Sequence, residues 1–299
     1  MTTDASRAIT HRIPPHAYFL VSAVFHYLGP SFAVLLFAAI EPLGVAWLRI
    51  ASAAVVFALW RRPLRYLRAA SNRERRLIVA MAATLAAMNC VFYLAIAQLP
   101  LATVGAIEFL GPILLAAVGL RNQRNVVALA LAVAGVAYLT DARWVAEPLG
   151  YLYAFANCAL FVLYVVLGHR LAASGGAGGI DRLSASMLVA MVFALPFGIE
   201  QALPAFASPL LLAAGIGVGI SSSVIPYVCD QLAMARLPRA TFALLLALLP
   251  ATAALIGFLV LRQVPTHAEM IGIALVIVGV ALHRGEARRG DQPTSAQSH

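Results

Sequence analysis

Residues 88–112 read MNCVFYLAIAQLPLATVGAIEFLGP, and residues 224–251 read VIPYVCDQLAMARLPRATFALLLALLPA. Laid on one another with Ala95 over Ala233, they share Ala97/Ala235, Leu99/Leu237, Pro100/Pro238, Ala102/Ala240, Thr103/Thr241 and Pro112/Pro250. Gly119/Gly257 follows on the same register. Matches of Ala and Leu are common in an apolar chain, but two prolines and a glycine on one register mark an internal repeat. Each copy is apolar, interrupted by proline, and too poor in charge to face water on any side.

The rest of the chain has the same character. Of 299 residues, 62% are hydrophobic and 11% are charged, where an ordinary soluble domain has about 25% charged residues. So few charges cannot cover a soluble surface of this size, which excludes a water-soluble enzyme, a disordered chain and a disulfide scaffold. Cys90, Cys158 and Cys229 fall inside apolar runs and pack like small hydrophobes, without metal or disulfide spacing.

Each membrane crossing needs about 20 apolar residues. The apolar runs predict ten helices: Ala17 to Ala39, Pro42 to Trp60, Leu77 to Ala97, Ala102 to Leu120, Val126 to Asp141, Leu149 to His169, Leu183 to Leu203, Pro209 to Ala235, Ala240 to Val260 and Ala268 to Leu282. The first run is too long, and wrongly flanked, for a cleaved signal peptide. All 21 basic residues are arginine, and 18 of them fall in the termini and the connections after helices 2, 4, 6 and 8. Basic connections stay in the cytoplasm, so both termini are expected inside, and the high pI reflects topology rather than nucleic-acid binding.

A repeat of five helices must cross the membrane in opposite senses in its two copies. The expected architecture is therefore an all-α membrane protein of ten transmembrane helices, arranged as two inverted five-helix repeats around a central cavity, the plan of secondary transporters. Residues 17–141 form the first repeat and 149–283 the second, with cytoplasmic tails at 1–16 and 284–299. The glycine-rich run from Ser174 to Gly179 links the halves.

The run GVAWLRIASA around Arg49, the stretch from Met88 to Pro112 and the stretch from Val224 to Ala251 resemble the drug/metabolite transporter superfamily of EamA type, in its threonine and homoserine exporter-like branch. The resemblance extends from about Ala17 to His283. It implies a bacterial inner-membrane exporter of small metabolites, with a cavity lined by helices 1, 3, 4, 6, 8 and 9. Val34 stands where close relatives of the amino-acid exporters carry a basic residue, and Leu249 where they carry an acidic one. Those replacements make the cavity less polar and keep a broader drug or metabolite exporter open as an alternative.

An ionisable group near the bilayer centre costs about 2.5 to 3.5 kcal/mol, so each one faces a cavity or a partner. Glu108 lies in helix 4, just before Gly111 and Pro112, which should break the helix. It either binds a substrate amine and a proton in alternation or forms a static ion pair with Arg49. Arg49 in helix 2 either clamps a substrate carboxylate or satisfies a carboxylate or open carbonyls on a neighbouring helix. Asp230 follows the expected break at Pro226 and suits a gate ion pair or substrate contact.

Asn89 and Tyr93 share one face of helix 3, and Asn157 and Tyr164 share one face of helix 6. Each pair offers polar groups to a cavity or to a neighbouring helix. His26 precedes Gly29 and Pro30, a further expected break, and Pro250 marks another in helix 9. Gly215 and Gly219 fit small-xxx-small packing rather than a nucleotide loop.

No cofactor or metal is expected, since the chain has no P-loop, HExxH, GxSxG or paired catalytic carboxylates. The expected partners are a small-molecule substrate, a coupling proton and the lipid bilayer, and no nucleic acid; a homodimer is left open. The leading expectation is a proton-coupled secondary exporter, plausibly of amino acids, working by alternating access. A membrane-embedded enzyme or a non-transporting receptor is the reading from another class.

Overall fold

The structure is a computed structural model, and it describes residues 14–111, 123–141, 147–172, 178–234 and 248–282. Every regular element among them is a helix: α1 (Pro15–Leu36), α2 (Pro42–Arg61), α3 (Pro63–Ala69), α4 (Asn72–Ile96), α5 (Leu101–Glu108), α6 (Gln123–Asp141), α7 (Pro148–Ala172), α8 (Gly178–Ala207), α9 (Pro209–Gly219), a π-helical segment (Ile220–Val224), α10 (Ile225–Met234), α11 (Leu248–Leu261) and α12 (His267–Leu282). Five stretches are long and apolar enough to cross a membrane: His16–Leu36, Pro42–Arg61, Asn72–Ile96, Ile180–Ala207 and Pro209–Cys229. Leu59 is 83% exposed and Leu210 is 78% exposed. Side chains this apolar point outward because lipid, not water, surrounds the bundle.

The helix starts follow from local chemistry. Proline opens α1, α2, α3 and α9, where its missing N–H costs nothing. Ser71 and Glu74 form a reciprocal capping box that starts α4 at Asn72, five residues before the expected start at Leu77. The extra turn carries Arg73, Arg75 and Arg76, which hydropathy alone assigns to a loop. Arg62 ends α2 in the left-handed region (φ 53°) because Pro63 excludes the α conformation for the residue before it. The chain then turns into α3, a short helix that the apolar pattern does not predict.

Two of the expected helix breaks need correction. α1 runs unbroken through Gly29 and Pro30. Pro30 leaves the His26 carbonyl without its helical donor, a defect that a membrane helix tolerates where neighbouring helices and side chains surround it; one residue on, the Ser31 hydroxyl donates to the Leu28 carbonyl at 2.7 Å. Pro226 does not itself interrupt the chain either: the irregularity precedes it, as the π segment Ile220–Val224, and α10 continues through it. Pro250 lies within α11, whose described part opens at Leu248, while Gly111 follows a turn at Phe109 that ends α5. Pro112, the tails to residue 13 and from residue 283, and Ser174 to Ala177 of the expected link lie outside the described residues, as does the side chain of Asp230. α8 is already helical at Gly178, the first described residue after 172 and ahead of the expected Leu183.

Packing runs mainly between helices distant in sequence. α2 packs on α8, α4 on α7, α6 on α12, α1 on α10 and α11, and α5 on α11. Along α2 and α8 the Gly44 amide donates to Gln201 Oε1 at 3.2 Å, the Trp47 indole to the Met191 carbonyl at 3.2 Å, and the Ser184 hydroxyl to the Phe57 carbonyl at 3.3 Å. Gly219 lets α9 lie against α2, since a Cβ there would stand 2.8 Å from the Arg49 carbonyl oxygen. Alanine dominates the buried core, with Tyr27, Tyr93 and Tyr151 its largest fully buried side chains. Small side chains bring backbones close where lipid supplies no hydrophobic drive between helices.

Candidate functional site

Two polar centres lie in the interior, and each joins the part of the chain before Asp141 to the part after Pro148. The first is built on Glu108, the last residue of α5 and 4% exposed. Asn157 of α7 is fully buried and donates Nδ2 to Glu108 Oε1 at 3.1 Å. Glu108 Oε2, Asn157 Oδ1 and the Tyr27 hydroxyl are buried without a hydrogen-bond partner among the described residues. Tyr27 packs against the turn of α5 that carries Glu108, where a Cβ on Gly105 would meet its hydroxyl oxygen at 3.0 Å. Two orphan acceptors at the end of a helix call for a donor, because an unmatched carboxylate oxygen in a low-dielectric interior is costly.

The second centre is built on Arg49 of α2, 6% exposed. Its Nε donates to the Ser223 hydroxyl at 2.9 Å and its Nη2 to the Ser222 carbonyl at 3.0 Å. The availability of that carbonyl follows from Pro226. Four residues on, Pro226 has no N–H to give Ser222, and the chain widens into the π segment, in which the Ile225 amide reaches back to Ile220. Gly29 lets α1 approach there, since a Cβ at that position would stand 2.7 Å from the Ser222 nitrogen. The Arg49 guanidinium also lies 5.5 Å from the centroid of the Tyr93 ring, within cation–π range.

Arg49 and Glu108 make no ion pair among the described residues; each has its own partners. Of the other residues singled out above, Asn89 turns its amide onto its own helix, donating to the Leu85 carbonyl at 2.7 Å. His26 is half-buried and meets Tyr27 edge-on at 5.1 Å. Tyr164 stacks on Phe161 at 6.0 Å and on Tyr227 at 6.5 Å, and Phe161 meets Phe109 at 6.3 Å. This aromatic run ties α7 to α10 and to the residue after Glu108. Asp230 has its backbone in α10.

Sequence reasoning missed Ser222, Ser223, Tyr27, Phe161 and Tyr227 as site residues. The signal for the serines was present, a Ser221–Ser223 run just ahead of a proline in an apolar helix.

A cavity of about 310 Å³ opens at the end of the bundle formed by the α4–α5 and α11–α12 connections. Val34, Gln98, Thr103, Gln263 and Glu269 line it. Gln263 Oε1 accepts from the Leu101 amide at 3.1 Å and fixes the start of α5. Glu108 lies five residues beyond Thr103, about 7.5 Å further along the helix, so the cavity leads toward the carboxyl without reaching it.

The second half of the chain, residues 148–284, matches the EamA-like transporter family model. The threonine/homoserine exporter RhtA of Escherichia coli strain K12 is 31% identical over 254 residues, covering 83% of this chain and 84% of its own. RhtA of Salmonella typhimurium strain LT2 is 29% identical over 253 residues with the same coverage. A protein of known crystal structure, 19% identical, superposes with a TM-score of 0.58 over 90% of this chain and 98% of its own, a likeness of fold. The bundle, its lipid-facing surface and these relatives define a multi-pass membrane transporter. The chain belongs to the EamA-like transporter family.

Proposed function

We propose that the chain is a secondary exporter of small metabolites, with amino acids such as threonine or homoserine as its substrate class, coupled to proton entry at Glu108. The observation that carries this reading is the Glu108–Asn157 pair, whose two orphan acceptors face each other's helices from opposite parts of the chain. A proton on Glu108 Oε2 and a substrate ammonium satisfy the same need, so the two bind in alternation and exchange across the membrane. The substrate class comes from the exporters RhtA at 29% to 31% identity.

The packing supports two five-helix repeats of opposite sense. Counted along the ten expected spans, span 2 packs on 7, 4 on 9 and 5 on 10, each on its own counterpart, while the contact of 3 with 6 is matched by that of 8 with 1. Such a pattern is what a two-fold axis between the halves produces. Arginine placement supports both termini on the cytoplasmic side of the inner membrane. Alternating access then moves one half against the other about the Glu108 and Arg49 centres.

A second reading, export of less polar drugs or metabolites, is favoured by Val34 in the cavity wall and by Leu249, 7% exposed within the apolar core. The test is solute exchange in liposomes that contain the purified chain alone. Wild type should move threonine or homoserine against a pH gradient, and Glu108→Gln should lose the gradient dependence. Wild-type rate and pH dependence in Glu108→Gln would end the coupling proposal, and counterflow of apolar amines without amino acids would favour the second reading.

A further inference from the structure

Seven arginines, Arg61 to Arg76, crowd the end of α2, α3 and the start of α4. Two have local work. Arg61 pairs with Asp181 at 2.8 Å and lies 5.6 Å from the centroid of the Trp60 ring. Arg75 donates to the carbonyls of Leu67 and Arg68 at 3.1 and 2.9 Å, holding the end of α3. Arg62, Arg65, Arg68, Arg73 and Arg76 have no such partner among the described residues, and the first three stand together around one groove. All three are exposed, and among the described residues none of their guanidinium groups has a hydrogen bond or ion pair. Spaced three apart, they fall on one face of the turn that Arg62 and Pro63 set up.

These three arginines line a single groove of about 360 Å³, whose other walls are Ala58, Pro63, Leu64 and Leu188. Depth sorts the lining by chemistry. Arg61 and Asp181, bound to each other, mark one level across α2 and α8. Ala58 lies three residues deeper on α2, about 4.5 Å, and Leu188 seven residues deeper on α8, about 10 Å. The groove is thus cationic at its mouth and apolar inside. Leu59 and Trp60, 83% and 52% exposed, continue the apolar wall outward on α2, and an exposed tryptophan at a helix end is a marker of the membrane interface.

The geometry points to a binding site for an anionic phospholipid, its phosphate held by Arg62, Arg65 and Arg68 and its acyl chains laid along Ala58, Leu59 and Leu188. Three unpaired cations around one groove repel each other until an anion enters, and a guanidinium fork matches phosphate oxygens. A soluble anion would fill the mouth and leave the apolar floor unused. A lipid fills both. Basic pockets between membrane helices take anionic headgroups by this chemistry. The site does not depend on what the protein exports.

The experiment titrates the purified full chain, in detergent micelles containing phosphatidylcholine, with phosphatidylglycerol and counts retained lipid by native mass spectrometry. Wild type is compared with Arg62→Gln/Arg65→Gln/Arg68→Gln, with the charge-matched control Arg73→Gln/Arg76→Gln/Arg170→Gln, and with Leu188→Trp, which fills the groove and leaves every charge in place. An arginine near the lipid surface contributes about fivefold to anionic-lipid binding. The groove triple should therefore bind at least about tenfold more weakly than the control triple, and Leu188→Trp should also lose the retained lipid. Equal weakening in the two triples, or full retention in Leu188→Trp, overturns the site. Displacement of the lipid by millimolar inorganic phosphate overturns the lipid assignment in favour of a simple anion site. If the groove triple does not fold, retention in Leu188→Trp decides alone.

Discussion

Asn157 donates its side-chain amide to one oxygen of Glu108 across the contact between α7 and α5, and leaves the other oxygen bare. One donor for two buried acceptor oxygens is an incomplete arrangement, since a buried polar atom ordinarily has a partner.

The bond itself is measurable. Asn157→Leu and Glu108→Met, singly and together, form a double-mutant cycle read by thermal unfolding of the purified protein. We expect a coupling of about 1 to 2 kcal/mol, between the values usual inside membranes and those for bonds to charged groups. Strict additivity would show that the two side chains do not depend on each other.

Arg49 satisfies a carbonyl that Pro226 leaves open, and that account has a distinctive signature. Arg49→Ala should destabilise by about 2 to 3 kcal/mol, because it uncovers a buried backbone acceptor. Pro226→Ala restores an N–H four residues after Ser222, so it should return part of the loss in the double variant. Equal damage by Arg49→Ala in both backgrounds, measured as melting temperature, contradicts it.

Gly29→Ala should abolish the folded yield of the protein, judged by a monodisperse peak in size-exclusion chromatography. The added methyl meets Ser222 backbone nitrogen and Cα at 2.7 and 2.8 Å. Ser222→Gly removes only the hydroxymethyl group, so it should fail to rescue. Recovery in that pair would mean that only a side chain, not the backbone, was in the way.

The Arg61–Asp181 pair, with side chains 26% and 28% exposed, joins α2 to α8 at the basic end of the bundle. Solvent screens it, so Asp181→Asn should cost no more than about 1 kcal/mol and should cost less as salt rises. A larger, salt-independent loss of thermal stability would assign it a buried structural role.

Apolar runs in the sequence carry the helices because lipid rewards them directly, as for α2, which starts at Pro42 in both readings. α3 was not readable that way, since Arg65 and Arg68 dilute the apolar signal over its seven residues. The early start of α4 was readable in the Ser71–Glu74 spacing, but a hydropathy reading passes over it. The break expected at Gly29 and Pro30 failed because a neighbouring helix, not water, surrounds the disturbed turn. Glu108 and Arg49 stood out as charges in apolar segments. Asn157 stood out too, as a polar group of helix 6, but its pairing with Glu108 did not, nor did Ser222, since Asn157 lies 49 residues from Glu108 and Ser222 lies 173 residues from Arg49. No spacing rule reaches that far.

The cross-packing of α2 on α8, α4 on α7 and α6 on α12 bears on how the protein is made. When Asp141 has left the ribosome, α1, α2 and α4 are long and apolar enough to be threaded into the bilayer, yet the partners they pack on in α7, α8, α10 and α11 have still to be made. Assembly waits for the later helices, which arrive and intercalate among the earlier ones like the second half of a shuffled deck. A fragment stopped at Asp141 is therefore an open clientele for membrane chaperones, and co-expression of 1–146 with 147–299 should restore the folded molecule that neither fragment forms alone.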